Sequence, residues 1–444
     1  MKKILYWVRK DLRTHDNLCL QWASRQPCEI LIVYPYPKEL LRSENFRQQF
    51  QAESLADFSE QLTKLGLQFY ALKQPAEILI PNLVKKFEID ELIFQNEISP
   101  EEVDTQNTVL QKIVSTKCQA KSFWQSSLIL KKDLPFPFER FPNGFSDFRK
   151  KVEYQLTIQP LVQTKWENLK QLPTENLEKS TIESSELKNL FIGGETEALN
   201  RLHHYLWKTD AIASYKETRN GMILLDDSSK FSPWLANGCL SPRMIYQELT
   251  KYEQERAQNE STYWMFFELL WRDYFKFYVH KFGSSVFNLS GIGKKKSRKL
   301  LEAEELRRFE IWTQGMTGYP LVDACMRELK QTGWMSNRGR QNAASFLAKT
   351  LEVDWRWGAQ YFEKYLLDYD VESNWGNWNY VAGVGTDPRD RSFNVIKQSY
   401  DYDANGDYIR MWIPELANFQ GSEILEPWAH GLKFQKSGYP ERMI

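Results

Sequence analysis

Hydrophobic and polar positions change their period partway along the chain. In the first 132 residues five short apolar runs, KILYWV, EILIVY, LQFYAL, ELIFQ and AKSFW, are separated by stretches such as 47–65 and 76–87 whose apolar residues fall on one helical face. Strand-length runs alternating with amphipathic helices predict an α/β domain built on a parallel sheet. From Asp133 to Gly194 the pattern dissolves into DLPFPFERFPNG and a polar stretch rich in Lys, Glu and Thr. That length exceeds an ordinary loop and reads as an interdomain connector draped over the surface. After Glu195 apolar residues recur at i, i+3 and i+4 over 197–208, 261–282, 319–331, 337–350 and 358–367, so the remainder is expected to be all-α. The expected organisation is therefore 1–132, a connector 133–194, and a helical domain 195–444, with no internal repeat.

Composition narrows the classes. The 444 residues suffice for two or three self-sufficient cores. The opening MKKILYWVRKDLR has only a short apolar run followed at once by charge, and the five cysteines (19, 28, 118, 239, 325) form no C-x-x-C pair. Together these predict a reduced, cytoplasmic chain without signal peptide or membrane span. The five histidines (15, 203, 204, 280, 430) have no metal-ligand spacing relative to the cysteines, so no metal is expected. Lys plus Arg equals Asp plus Glu at 58 each, which leaves any polyanion contact to a local patch. One such patch is GKKKSRKLL, with Lys294, Lys295, Lys296, Arg298 and Lys299, although a solvated loop is the commoner reading of such a cluster. Twelve of the sixteen tryptophans lie from Trp207 onward, more than core filling demands, and they suggest stacking or electron transfer beside the plainer reading of an aromatic-rich core.

Four segments concentrate chemistry. DDSSKFSPWLANGCLSPRMI contains two helix starts, with Ser232 and Ser241 as caps and Pro233 and Pro242 in the first helical positions. With Ser228, Ser229, Lys230 and the nearby Tyr215, it could hold a pyrophosphate, although such caps are commonly only caps. In FFELLWRDYFKFY, residues Glu268, Trp271, Arg272 and Phe275 share one helical face. An exposed Glu–Arg pair beside a core tryptophan is the plain alternative, but the ring-rich neighbourhood predicts a buried helix whose charges need partners. GWMSNRGRQNAASFL places Asn337, Arg338, Arg340 and Gln341 at a helix start after Gly333, and LLDYDVESNWGNWNY supplies acids with which Arg340 can pair.

These motifs resemble the photolyase and cryptochrome family, and within it the DASH branch. WVRKDLRTHDN from Trp7, SKFSPWLANGCLSPR from Ser229, ELLWRDYF from Glu268, TGYPLVDACMREL from Thr317, WMSNRGRQNAASFL from Trp334 and DYDVESNWGNWNYVAGVGTDPR from Asp368 follow the family's order over nearly the whole chain. The resemblance implies a Rossmann-like N-terminal domain and a helical domain holding a folded FAD. It implies that Tyr215, Ser228, Ser229, Lys230, Phe231 and Ser232 hold the phosphates and ribityl chain. It further implies that Glu268, Arg272, Asn337, Arg340, Asp368, Asp370 and Val371 surround the flavin ring, with an Arg340–Asp368 salt bridge beside it and the Asn374 amide at N5. Trp378 resembles the first and Trp355 the second member of the family's tryptophan chain. The third is missing: LLEAEELRRFEIW has no indole where the family places one, which leaves Trp357, Trp312 or Phe-to-Tyr detours.

For substrate, the resemblance implies that Glu268 and Trp271 hydrogen-bond and stack on a pyrimidine dimer flipped from its strand, with Asn337, Gln341 and Tyr380 lining the same cavity. Gln341 and Tyr380 stand where double-strand photolyases carry methionine and tryptophan, a pattern that implies single-stranded DNA as partner. Ser336, Asn337 and Gln341 replace the histidine-rich motif of (6-4) photolyases, which argues against proton-assisted (6-4) repair. Glu97 matches the glutamate that binds a folate antenna, 5,10-methenyltetrahydrofolate, in related proteins. The implied activity is dimer repair by a monomer, a deoxyribodipyrimidine photolyase, driven by excited reduced FAD. The rivals are a blue-light receptor that signals without repair and a single-strand nucleic-acid chaperone.

Overall fold

A computed structural model describes residues 1–36, 46–174, 177, 190–293, 302–386 and 392–444. The basic cluster at 294–299 and the last three residues of the motif ending in Arg389 lie outside these residues. The described chain forms two compact units, Met1–Ala213 with Lys230–Gly283, and Ser214–Ser229 with Ser284–Ile444.

The first unit is built on β1 (Lys2–Trp7), β2 (Cys28–Pro35), β3 (Phe69–Leu72), β4 (Glu91–Gln95), β5 (Gln119–Phe123) and β6 (Leu169–Gln171). All pairings are parallel, in the order β3-β2-β1-β4-β5. Inner strands are buried on both faces, which is why KILYW and EILIVY read as continuous apolar runs instead of alternating ones. The edge strand β5, QAKSF, is mostly exposed and carries glutamine and lysine that discourage further pairing. Leu79, Ile80, Leu83, Val109 and Ile113 from helices Ala76–Lys86 and Pro100–Ile113 pack with Leu5, Leu31, Leu92 and Phe94 of the sheet.

The stretch expected to be only a surface connector contributes to this unit. Helix Phe145–Tyr154 buries Phe145, Phe148 and Val152, and β6 pairs with β2 through Cys28–Leu169, Glu29–Lys170 and Ile30–Gln171. Its short apolar sets are too brief to show a period. Helix Ser232–Asn237 also departs from expectation: Phe231 precedes it, Ser232 is its first residue and exposed, and no side chain caps it. Ser241 does cap Pro242–Glu255, accepting from the Arg243 N–H.

Helix Glu260–Phe282 is buried along most of its length, as its rings predict, and it carries Asp273 at 0% exposure. The Asp273 carboxylate accepts from the N–H groups of Leu128 (3.0 Å) and Ile129 (2.8 Å), fixing the loop after β5. Burial pushes its carboxyl from 3.8 up to about 6, against the opposing pull of those two donors, Arg272 and Lys276. A carboxyl raised in the folded state binds a proton that the unfolded chain releases between those values. Its contribution is therefore present at low pH and is lost as pH rises through about 6, a change on the order of 3 kcal/mol. Asp273→Asn removes the titration: in urea unfolding at pH 4.5 and at pH 7, taken as about the two ends of that window, the stability gap between wild type and variant should be wider at the acid end. An equal gap at both would place this carboxyl at its ordinary value.

The second unit is helical, with Glu302–Gln314, Pro320–Thr332, Asn337–Ser345, Trp355–Tyr365 and Val371–Ala382 among its helices. The predicted 337–350 helix ends in a π-turn at Phe346–Thr350. No described helix is long and apolar enough to cross a membrane, and no described group of His, Cys, Asp and Glu could hold a metal ion.

Candidate functional site

Helix Asn337–Ser345 begins just after Gly333, whose left-handed φ of 68° ends Pro320–Thr332, and Ser336 caps it by accepting from the Gly339 N–H at 3.1 Å. Arg340, within the first turn, donates through Nη2 to both oxygens of Asp368 at 3.0 and 2.9 Å and through Nε to the Met335 carbonyl at 2.9 Å. The Asp368 side chain is 1% exposed and that of Arg340 23%, so the pair is far better shielded than a surface bridge. Asp370 caps Val371–Ala382 by accepting from the Ser373 N–H at 2.8 Å. One turn on, Asn374 donates its Nδ2 to the Ala359 carbonyl at 3.1 Å, which fixes the amide plane.

Arg340, Asp368, Asp370 and Asn374 line one recess together with Asn337, Gln341, Tyr369 and Trp378, and Phe362, Leu366 and Val381 supply its apolar wall. The space is about 530 Å³, including a part open to solvent. Trp378 is 2% exposed and packs edge-on against Phe362 at 5.2 Å. Its position requires Gly358: a Cβ there would stand 2.2 Å from Trp378 Cη2.

The other predicted residues are placed as follows. Tyr380 and Val371, on the same helix as Asn374, are half-buried and do not line the recess. Tyr215 is buried at the start of the turn Tyr215–Thr218, and Ser228 follows the turn Leu225–Asp227 in extended conformation. Lys230, Phe231 and Ser232 belong to the first unit, where Lys230 adopts a left-handed φ of 56°, uncommon for a side chain of its size. Glu268, Trp271 and Arg272 lie on Glu260–Phe282 in that unit, all three half-buried. The Arg272 guanidinium donates to the carbonyls of Ser126 (2.5 Å) and Leu235 (3.1 Å) and so ties two loops to the helix. Glu97 is buried beyond the carboxyl end of β4 and accepts from Gln95 Nε2 at 2.9 Å.

Several neighbours of these residues were not foreseen. The Trp271 ring lies on Phe145 at 3.6 Å and 10°, a stacked pair with a residue of the supposed connector. The indole packed on Trp378 is Trp312, with centroids 6.5 Å apart, while the ring contact of Trp355 is with Trp375 at 5.7 Å. An isolated glycine in the helical run WRWGAQYF was the available sign of the close approach at Trp378.

Comparisons with known proteins bear on this arrangement. Residues 4–169 match the family DNA photolyase, and residues 264–444 match the FAD binding domain of DNA photolyase. Cryptochrome DASH of Synechocystis is 44% identical over 98% of this chain and 92% of its own, and cryptochrome DASH of Xenopus laevis is 44% identical over 96% and 85%. Among solved structures, a Synechocystis cryptochrome superposes with a TM-score of 0.94 at 42% identity, covering 100% of this chain and 96% of its own. A class III photolyase from Agrobacterium tumefaciens gives 0.85 at 26% identity, covering 100% and 94%.

Proposed function

The chain belongs to the photolyase and cryptochrome family, and from that premise we propose that it repairs cyclobutane pyrimidine dimers in single-stranded DNA by light-driven electron transfer from FAD held in the recess beside Trp378. The observation that carries this reading is the shielded Arg340–Asp368 pair set between an amide-lined rim and an apolar wall. That donor set suits a flat heteroaromatic ring, whose faces want apolar contact and whose edge wants both donors and acceptors. When bound, FAD supplies the light absorption and the electron.

The residues of the chain orient and tune. Arg340, pinned by Asp368 and the Met335 carbonyl, offers a fixed positive charge to the ring edge. Asn374, tethered at Ala359, presents an amide that can meet a ring nitrogen as donor or acceptor, whatever its protonation. Tyr215, Ser228, Ser229 and Lys230 supply hydroxyls and a cation for the phosphates. Glu268 and Trp271 receive the extruded dimer, one by hydrogen bond and one by stacking. Fewer apolar walls recover less of the energy of unpairing, which favours single strands. Glu97 and its neighbours at the carboxyl ends of the strands form a place for a folate antenna, where open α/β sheets bind ligands.

The test is an absorption spectrum of the purified protein followed by blue-light exposure with a dimer-containing oligonucleotide, single-stranded and duplex. Flavin absorption with light-dependent loss of dimers, faster in the single strand, is expected. Flavin without dimer loss would favour a receptor, and nucleic-acid binding without either would favour a chaperone.

A further inference from the structure

We propose that Trp312, Tyr361 and Tyr365 carry the oxidising equivalent from Trp378 to solvent, so that photoreduction in this chain leaves the family's tryptophan series after its first member. The inference rests on the flavin reading above. It starts from the missing indole in LLEAEELRRFEIW and from the rings that lie against Trp378 instead. Trp378 and Trp312 stand 6.5 Å apart between centroids at 75°, Trp312 and Tyr361 5.6 Å at 64°, and Tyr361 and Tyr365 4.5 Å at 37°. The first two are buried, at 2% and 0% exposure, and the two tyrosines are half-buried. The series thus runs from the recess wall outward through rings in contact at every step.

The chemistry of each member suits its place. Trp312 donates its Nε1–H to the Ala343 carbonyl at 3.1 Å, a poor proton acceptor, so an oxidised Trp312 keeps its proton and remains a strong oxidant. Tyr361 donates its hydroxyl to the Thr313 carbonyl at 3.1 Å, and its ring lies 4.5 Å from that of Tyr365. Burial raises the Tyr361 phenol far above its ordinary value, so the proton stays until the electron goes. Lys364, 5.3 Å above the Tyr365 ring, disfavours a positive radical there and drives the proton out to water. The other exit, from Trp312 to Trp357, passes through Phe309 (6.0 and 5.4 Å), whose benzene ring is the hardest of these groups to oxidise.

The electrons balance. Trp378 gives one electron to the light-excited flavin ring; Trp312 restores Trp378; Tyr361 restores Trp312 and releases its phenolic proton to solvent; Tyr365 then returns an electron and a proton to the Tyr361 oxygen and is left as the neutral phenoxyl radical. A thiol reductant in solution then returns an electron and a proton to the phenoxyl oxygen and becomes a thiyl radical.

The test is flash excitation of FAD-loaded protein with detection by transient absorption and electron paramagnetic resonance. Wild type and Trp357→Phe should show a neutral tyrosyl radical. Tyr361→Phe, which keeps the buried ring, should lose it and leave a tryptophan radical that recombines, and Trp312→Phe should lose both that signal and thiol-dependent photoreduction. A tyrosyl signal that persists in Tyr361→Phe and Tyr365→Phe, or photoreduction abolished by Trp355→Phe but not by Trp312→Phe, would overturn the branch. Dimer repair by chemically reduced protein reports separately: it should be the same in Tyr361→Phe and wild type, and its absence from wild type would sink the repair reading while leaving the radical measurement to decide the route. Protein that takes up no FAD would overturn both.

Discussion

Arg340→Ala should leave the purified protein with little or no flavin and less stable by about 3–5 kcal/mol. The size follows from asymmetry. The Asp368 side chain is 1% exposed and both of its oxygens accept from one guanidinium nitrogen, so truncation removes a charge that helps compensate a buried carboxylate. The guanidinium also anchors the Met335 carbonyl and lies 5.1 Å from the Trp334 ring, so packing is lost with charge. Arg340→Lys separates the two contributions. It keeps one positive charge but cannot reach the carboxylate and Met335 together with a planar fork, and should recover stability more than flavin affinity. Urea unfolding and the ratio of visible to ultraviolet absorbance read the two effects on the same samples. Arg340→Ala protein that remains fully yellow would remove the pair from the flavin site.

Much of this was legible from the chain. The two-sided burial of β1, β2 and β4 appears directly as unbroken apolar runs, and the start of helix Asn337–Ser345 after Gly333 follows from glycine's tolerance of a left-handed φ. The Arg340–Asp368 pair was expected from the resemblance, and the two side chains do meet. What periodicity could not supply was placement across distance. The three residues of β6 carry no period, and their register with Cys28–Ile30 is set by the sheet and not by their own sequence. Phe145 reads as one aromatic among several in a proline-rich stretch until its ring is found on Trp271. Trp312 was one of several rings named in place of the missing indole, and only the close approach allowed by Gly358 and the position of Phe362 show which indole meets Trp378. Element type is local chemistry; ring-to-ring adjacency is a property of the packed helices.

Glu268→Ala should keep its flavin and lose on the order of 10²–10³ in the rate of dimer splitting, the usual effect of removing a hydrogen-bond donor aimed at developing negative charge. Glu268 sits half-buried on Glu260–Phe282, one turn before Arg272, whose guanidinium is engaged by the carbonyls of Ser126 and Leu235. To stabilise a dimer that has gained an electron, the Glu268 carboxyl must donate, and only its protonated form has a hydrogen to give; the ionised form would repel the same charge. Two consequences separate this role from mere cavity shape. Glu268→Gln, whose amide also donates, should keep most of the activity that Glu268→Ala loses. Dimer binding, to which Trp271 contributes by stacking, should change less than the splitting rate, because the donor is needed chiefly after the electron arrives. Quantum yield of repair for the three proteins, each with chemically reduced flavin, measures this directly. Equal yields in wild type and Glu268→Ala would remove Glu268 from the reaction, and an impaired Gln variant would mean that the carboxylate acts as an acceptor holding the extruded base and not as the donor.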